Sequence, residues 1–335
     1  NTNTKDSLFF SLSLSLLSLS LSLSLSLSQF STVEMDGCLF GCGNDMAGTV
    51  ISCNACSGTL KPGDLVWGFA NPSYADYVVS PENDISLRPS NSLLPATQAG
   101  TIPEVGLTSL FSLKRTNSLP NSPMPTGSPW ANRSNVTVVI TAGSGGTGFI
   151  GIEIAKAYGA THIITATTGA ASIEFVKSLG ATKVVDYKVE DVFASLSDNS
   201  VDFVYDNYAA EGTADKAMRT IRSGGTYLMM PHGECYAKKI QGPPCLSANP
   251  KAGVRQINYV TSVDFKAYSL QGLKELTALF EANKLHAHIA ATYSLENIAA
   301  AFNYSAGKGE GGVNNNHFGK IAVVMEQNMT KGRYA

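Results

Sequence analysis

The sequence is poor in charge, in tryptophan, in cysteine and in any surplus of one sign. Only 15% of its 335 residues are charged, against a usual figure of about 25%. Lys and Arg number 24 and Asp and Glu 26, a formal charge of −2. That balance argues against nucleic acid as a partner, because such binders carry a basic stripe or excess. Six cysteines in 335 residues are too few for a disulfide scaffold. What is plentiful is apolar surface: 44% of the chain, enough for a core in about two domains.

Part of the charge deficit sits in one tract. Residues 7–28 contain only Ser, Leu, Phe9 and Phe10, mostly in strict Leu–Ser alternation. Period two describes a strand with one Leu face and one Ser face. A hydroxyl at every other position makes a poor membrane helix, so no membrane is expected as a partner. A CT dinucleotide repeat would encode the same alternation, and the first methionine is Met35. Residues 1–34 are therefore expected to be a low-complexity segment that does not fold, a secretory or targeting segment being the other reading. The chain is expected to be cytoplasmic, with organellar targeting open.

After Met35 the texture is short, Gly-rich and strand-like, with strands expected at 47–52, 60–69 and 74–79. Residues 114–135 are rich in Pro, Ser and Asn and read as an exposed loop. From Val136 onward apolar strands alternate with helices. Strands are expected at 136–141, 162–166, 183–185, 201–205, 225–230 and 254–260, and helices at 148–158, 172–179, 213–221 and 270–282. Continuous apolar strands between helices mean a parallel sheet covered on both faces. The edge strand 254–260 would be able to pair across a homodimer. A further helix, 295–304, and a strand, 319–325, close the chain.

The strongest motif is a glycine fingerprint after the first of these strands: Gly143-Ser144-Gly145-Gly146-Thr147-Gly148. G-x-G-x-x-G following a strand and opening a helix is the dinucleotide-binding context. Gly143 suits the tight turn, Gly145 the approach of a pyrophosphate, and Gly148 close helix–strand packing. The helix N-terminus offers free N–H groups to phosphate. An NAD site wants an acid at the end of the next strand. Here the strand runs into Thr167-Thr168-Gly169, with no Asp or Glu between Glu153 and Glu174. The expected cofactor is NADP.

These segments, in this order and spacing, resemble the medium-chain dehydrogenase/reductase superfamily, in its zinc-independent quinone-oxidoreductase and enoyl-reductase branch. The residues that carry the resemblance are Gly43-x-Asp45-x-Ala47-Gly48, Lys61-Pro62-Gly63-Asp64, Tyr74-Ala75-Asp76-Tyr77, Gly106-Leu107-Thr108, the glycine loop, Val185-Asp186-Tyr187, Ser223-Gly224-Gly225 and Phe318-Gly319-Lys320. The resemblance implies an α/β fold: a Rossmann doubly wound parallel sheet, residues 136–284, inserted in a GroES-like partial β-barrel catalytic domain, residues 35–113 and 285–335. The N-terminal part of that catalytic domain is expected to be incomplete, with the active site in the cleft.

By resemblance, Thr168 would lie by the adenosine ribose and Tyr187 along the cofactor. Met230, His232 and Asn316 would lie on the nicotinamide side, with Thr108 near that end. His232 reads either as a general acid or as a loop histidine satisfied by backbone. Asn44-Asp45 stands where zinc-dependent relatives carry His-Glu, so no metal is expected. The cysteines are expected to be reduced thiols, a Cys₄ zinc site from Cys38, Cys42, Cys53 and Cys56 being the minor alternative. The implied activity is NADPH-dependent hydride transfer to a quinone or α,β-unsaturated carbonyl, with a small-molecule substrate and no assigned catalytic side chain. A truncated, inactive nucleotide-binding paralogue is the competing reading.

Overall fold

The computed structural model describes residues 8–11, 21–25, 43–53, 58–119, 122–230, 245–306 and 318–325. The chain divides into two units, at Glu104/Val105 and at His286/Ala287, with residues 318–319 counted in the second.

The first unit opens with β1 (Leu8–Ser11) and β2 (Leu21–Leu25), both inside the Leu–Ser tract. Then come β3 (Asp45–Thr49), β4 (Leu65–Phe69), β5 (Tyr77–Ser80), β6 (Ile85–Leu87) and the short helix α1 (Ala96–Ala99). The tract thus departs from the expectation that it stays unfolded. Period-two alternation is strand patterning, and the backbone of β2 pairs antiparallel with two other strands of the unit. The rest of the tract lies outside the described residues.

The second unit begins within α2 (Pro103–Arg115), a helix the sequence reading did not assign. It continues β7 (Thr137–Ile140), α3 (Gly146–Ala157), β8 (His162–Thr167), α4 (Ala170–Leu179), β9 (Lys183–Asp186), β10 (Val201–Asp206), α5 (Thr213–Thr220), β11 (Ile221–Met229), β12 (Arg255–Asn258) and α6 (Ser262–Glu281). Its sheet has the order β12-β11-β10-β7-β8-β9, and every pair in it is parallel. Read from the β9 edge, that is third, second, first, fourth, fifth, sixth in sequence: the doubly wound order. All four residues of β7 and all six of β10 are buried, and β10 buries Asp202 and Asp206 along with its apolar side chains. Val139, Val204, Tyr227 and Met229 form part of their core.

The chain returns to the first unit with β13 (Ile289–Ser294), α7 (Ile298–Ser305) and β14 (Lys320–Met325). The main sheet of this unit runs β13-β14-β2-β3-β4-β6. It is antiparallel apart from the β13–β14 pair. Met46, Val66, Ile85, Ile321 and Val323 make its core. Lys320 is fully buried here, beside Asp45 and Glu104, and burial pushes its ammonium pKa down against the pull of those two acids.

Residues 114–135 are only in part the exposed loop that their composition suggests: 131–135 are exposed, whereas 114–116 and 129–130 are buried. Lys114 and Arg115 end α2 and are 1% exposed, and Trp130 is 2% exposed. Arg115 Nε and Nη2 donate to the two oxygens of Asp264 at 2.8 and 2.6 Å, and Tyr259 also donates to Asp264. Lys114 Nζ meets Glu275 at 2.6 Å. Buried charges persist only when paired and hydrogen-bonded, and both partners here come from α6. The cysteine expectation also changes. Cys53 and Cys245 are each disulfide-bonded rather than free thiols. Cys245 is 1% exposed in the apolar core of the second unit, where a cystine sulfur packs as a small hydrophobe.

Candidate cofactor site

The site grows from the end of β7. There the chain passes Thr141, turns at Ala142 with φ of 51°, and enters α3 through the glycine loop. Each glycine meets a different constraint. A Cβ on Gly143 would stand 2.0 Å from Thr165 Oγ1 on the neighbouring strand. One on Gly148 would stand 2.1 Å from the Ala142 carbonyl oxygen. One on Gly145 would meet only that same carbonyl oxygen, at 3.3 Å, and faces solvent. Two glycines thus serve the protein's own packing, and the third leaves open space.

Gly143 N–H donates to the Ala166 carbonyl at 3.0 Å and Gly145 N–H to the Ala142 carbonyl at 3.0 Å, which fixes the turn. Gly145 is the N-cap of α3, and no side chain caps the helix there. The first-turn amides have no intrahelical acceptors, so together with the dipole they make an anion cradle. Thr147 is held from behind by Ser109 Oγ, which donates to its carbonyl at 2.8 Å. Ser144 Oγ and Thr167 Oγ1 lie 2.7 Å apart, tying the loop to the tip of β8.

Between β7 and β10 the strand order reverses, and ligands of such sheets bind outside the carboxyl ends at that point. The floor there is a polar network that the motif reading missed. Thr141 Oγ1 donates to Asp206 Oδ1 at 2.6 Å. The amides of Tyr208 and Ala209 donate to the same oxygen at 3.1 and 3.0 Å. Tyr227 OH donates to Asp206 Oδ2 at 2.6 Å, and burial first, then Asp206, pushes that phenol well above its ordinary pKa. Asn207 is held by its amide on Thr141 Oγ1 at 2.9 Å and by Nδ2 on the Thr141 carbonyl at 3.2 Å. Its Oδ1 is buried without a hydrogen-bond partner. A buried acceptor left open beside an uncapped helix start fits a ligand that brings a donor. A dinucleotide, with phosphates for the amides and hydroxyls for Asn207, fits these residues.

The remaining expected residues divide. Thr168 follows β8 and lies beside Asp186, whose carboxyl it helps to hold below the ordinary Asp range. Tyr187 is 59% exposed, next to that pair. Thr108 is buried on α2. Met230 is 3% exposed; its sulfur accepts from Ser112 Oγ at 3.4 Å and its amide donates to the Asp206 carbonyl at 2.9 Å. Met230 therefore anchors the end of β11 to the polar floor. His232 and Asn316 lie outside the described residues. Asp45, at the position where the zinc-dependent relatives' pattern has an acid, accepts the Glu104 amide at 2.7 Å in the first unit.

Residues 179–323 match the family described as zinc-binding dehydrogenase. The chain is 32% identical over 195 residues to NAD(P)H oxidoreductase RTN4IP1, mitochondrial, of Bos taurus, covering 56% of this chain and 46% of that protein. It is 32% identical over 174 residues to a quinone-oxidoreductase homolog, chloroplastic, of Spinacia oleracea, covering 51% and 49%. The chain spans about half the length of the curated relatives it matches. The solved quinone oxidoreductase from Coxiella burnetii superposes with a TM-score of 0.71 at 21% identity, over 95% of this chain and 90% of that one. The chain shares its fold with that quinone oxidoreductase and with a solved 2-haloacrylate reductase, TM-score 0.70 at 18% identity. A solved enoyl reductase, CurK, superposes with a TM-score of 0.70 at 17% identity, over 97% of this chain and 93% of that one. Among the described residues no helix is long and apolar enough to cross a membrane.

Proposed function

We propose that the chain is an NADPH-dependent, zinc-free oxidoreductase that reduces a quinone or an α,β-unsaturated carbonyl. The observation that carries this reading is the open cradle at Gly145, set beside the unpartnered Asn207 Oδ1 at the sheet's reversal point. Support comes from relatives named as NAD(P)H oxidoreductases and quinone oxidoreductases, and from a mycobacterial structural neighbour complexed with NADPH. Bound nicotinamide supplies the hydride. The chain's part is to bind and orient. The α3 amides hold the pyrophosphate, Gly145 admits it, and Asn207 accepts a donor from the cofactor. Thr168 and Tyr187 line the adenosine end, and Met230 fixes the end of β11. The zinc-free part of the reading rests on Asn44, which offers no imidazole, and on Asp45, whose Oδ1 is already taken by a backbone amide.

The test is oxidation of NADPH, followed by absorbance, with a quinone and with an enone as acceptors. Turnover with either supports the reading. NADPH binding without turnover on any acceptor supports the nucleotide-binding paralogue instead. NADPH is expected to bind several-fold tighter than NADH. Prolonged treatment with a chelator is expected to leave melting and turnover unchanged, and stoichiometric zinc in the purified protein would count against the zinc-free assignment.

A further inference from the structure

The stretch that discriminates NAD from NADP carries no acid of its own, yet the fold brings one to it from the next strand. β8 and β9 pair in parallel, with Thr167 opposite Asp186. The residues that follow Thr167 are Thr168 and Gly169, and both lie close enough to the Asp186 carboxylate to help hold it below the ordinary Asp range. The Lys188 amide donates to Asp186 Oδ1 as well, at 3.0 Å. The carboxylate therefore stands at the tip of β8, where an acid selecting the ribose 2′-hydroxyl stands when the second strand carries its own.

We propose that Asp186 is the specificity-determining residue of the adenosine end and that it holds down the preference for a 2′-phosphorylated dinucleotide. This rests on the cofactor reading above and refines it. A carboxylate next to a 2′-phosphate is a like-charge contact, which is the repulsive element by which a site rejects a ligand. The Thr168 hydrogen bond above all, with the Lys188 amide next, keeps the carboxyl below the ordinary Asp range, so it stays charged at neutral pH. Lys188 offsets part of that charge, which leaves NADPH binding weakened rather than forbidden. Asp186→Asn keeps the side-chain shape and one acceptor while removing the charge.

The experiment titrates NADPH and NADH into the wild-type protein and into Asp186→Asn, by fluorescence. Competition with 2′,5′-ADP and with 5′-AMP isolates the adenosine end. The ratio of NADPH to NADH affinity is expected to rise about tenfold in the variant, through tighter NADPH, as follows from removing one unit charge beside a dianion. 2′,5′-ADP should gain and 5′-AMP should not. Asp186→Ser is the second variant and gives the same readout should Asp186→Asn fail to fold. An unchanged ratio in a folded variant, or an equal gain for both dinucleotides, overturns the proposal and leaves the cofactor reading standing. A wild-type protein that binds neither dinucleotide overturns both.

Discussion

Gly148→Val is expected to cost the second unit several kcal/mol and to lower its melting temperature by roughly 10 °C, the scale of a backbone clash in a domain of this size. A Cβ at this position meets three backbone atoms: Ala142 O at 2.1 Å, Gly143 Cα at 2.8 Å and Ala142 C at 2.9 Å. None of them can swing away as a side-chain end would. Either α3 moves off β7 or the turn opens, and both routes disturb buried packing. Phe149, Ile150, Ile152 and Ile154 of α3 are all fully buried, so a displaced helix loses contacts along its whole length. The two γ-methyls of valine deepen the clash. Melting followed by far-ultraviolet circular dichroism reads the result. A variant that melts with the wild type would mean that the loop and helix are packed differently from this arrangement.

The role of Gly148 could be read from sequence because it is local: strand, turn and helix lie within residues 137–157, and periodicity plus glycine spacing describe them. The same holds for the parallel sheet, whose central strand, Thr137–Ile140, is a buried β-branched run between glycine- and helix-patterned segments. Legibility ends where a residue's environment is set by a distant one. Lys114 and Arg115 look like loop charges beside a Pro- and Ser-rich stretch. They are helical and buried because Glu275 and Asp264, far along the chain, pair with them. The start of α6 at Ser262 was missed for the same reason, since Asp264 in its first turn reads as a surface acid. β13 was missed because its residues are half-buried or exposed, so it shows no apolar run. In the site, the glycine loop was legible, whereas Asp206 and Asn207 gained their roles only through Thr141, about 65 positions earlier. Asp186 reached the ribose position through strand register alone. His232 and Asn316, placed by resemblance, fall outside the described residues.

Gly145→Val is expected to separate binding from folding in the opposite sense. Gly145 lies in the β region, at φ of −73° and ψ of 170°, where valine is at ease. Its Cβ would meet only the Ala142 carbonyl oxygen, at 3.3 Å, a contact relieved by a shift of a few tenths of an ångström. No side-chain cap is lost, because glycine provides none. The cost to the fold is therefore about 1 kcal/mol, that of replacing a tolerated N-cap residue with a poor one. What the valine does occupy is the open space at the start of α3, over the amides that hold phosphate. Charge-assisted hydrogen bonds of this kind contribute about 1.5–3 kcal/mol each, so blocking the cradle should weaken NADPH by at least a hundredfold, about 2.7 kcal/mol. Titration and melting on the same preparation decide the matter. Wild-type affinity for NADPH in a folded Gly145→Val protein would show that the pyrophosphate does not lie on this loop, and the proposed function would fall with it.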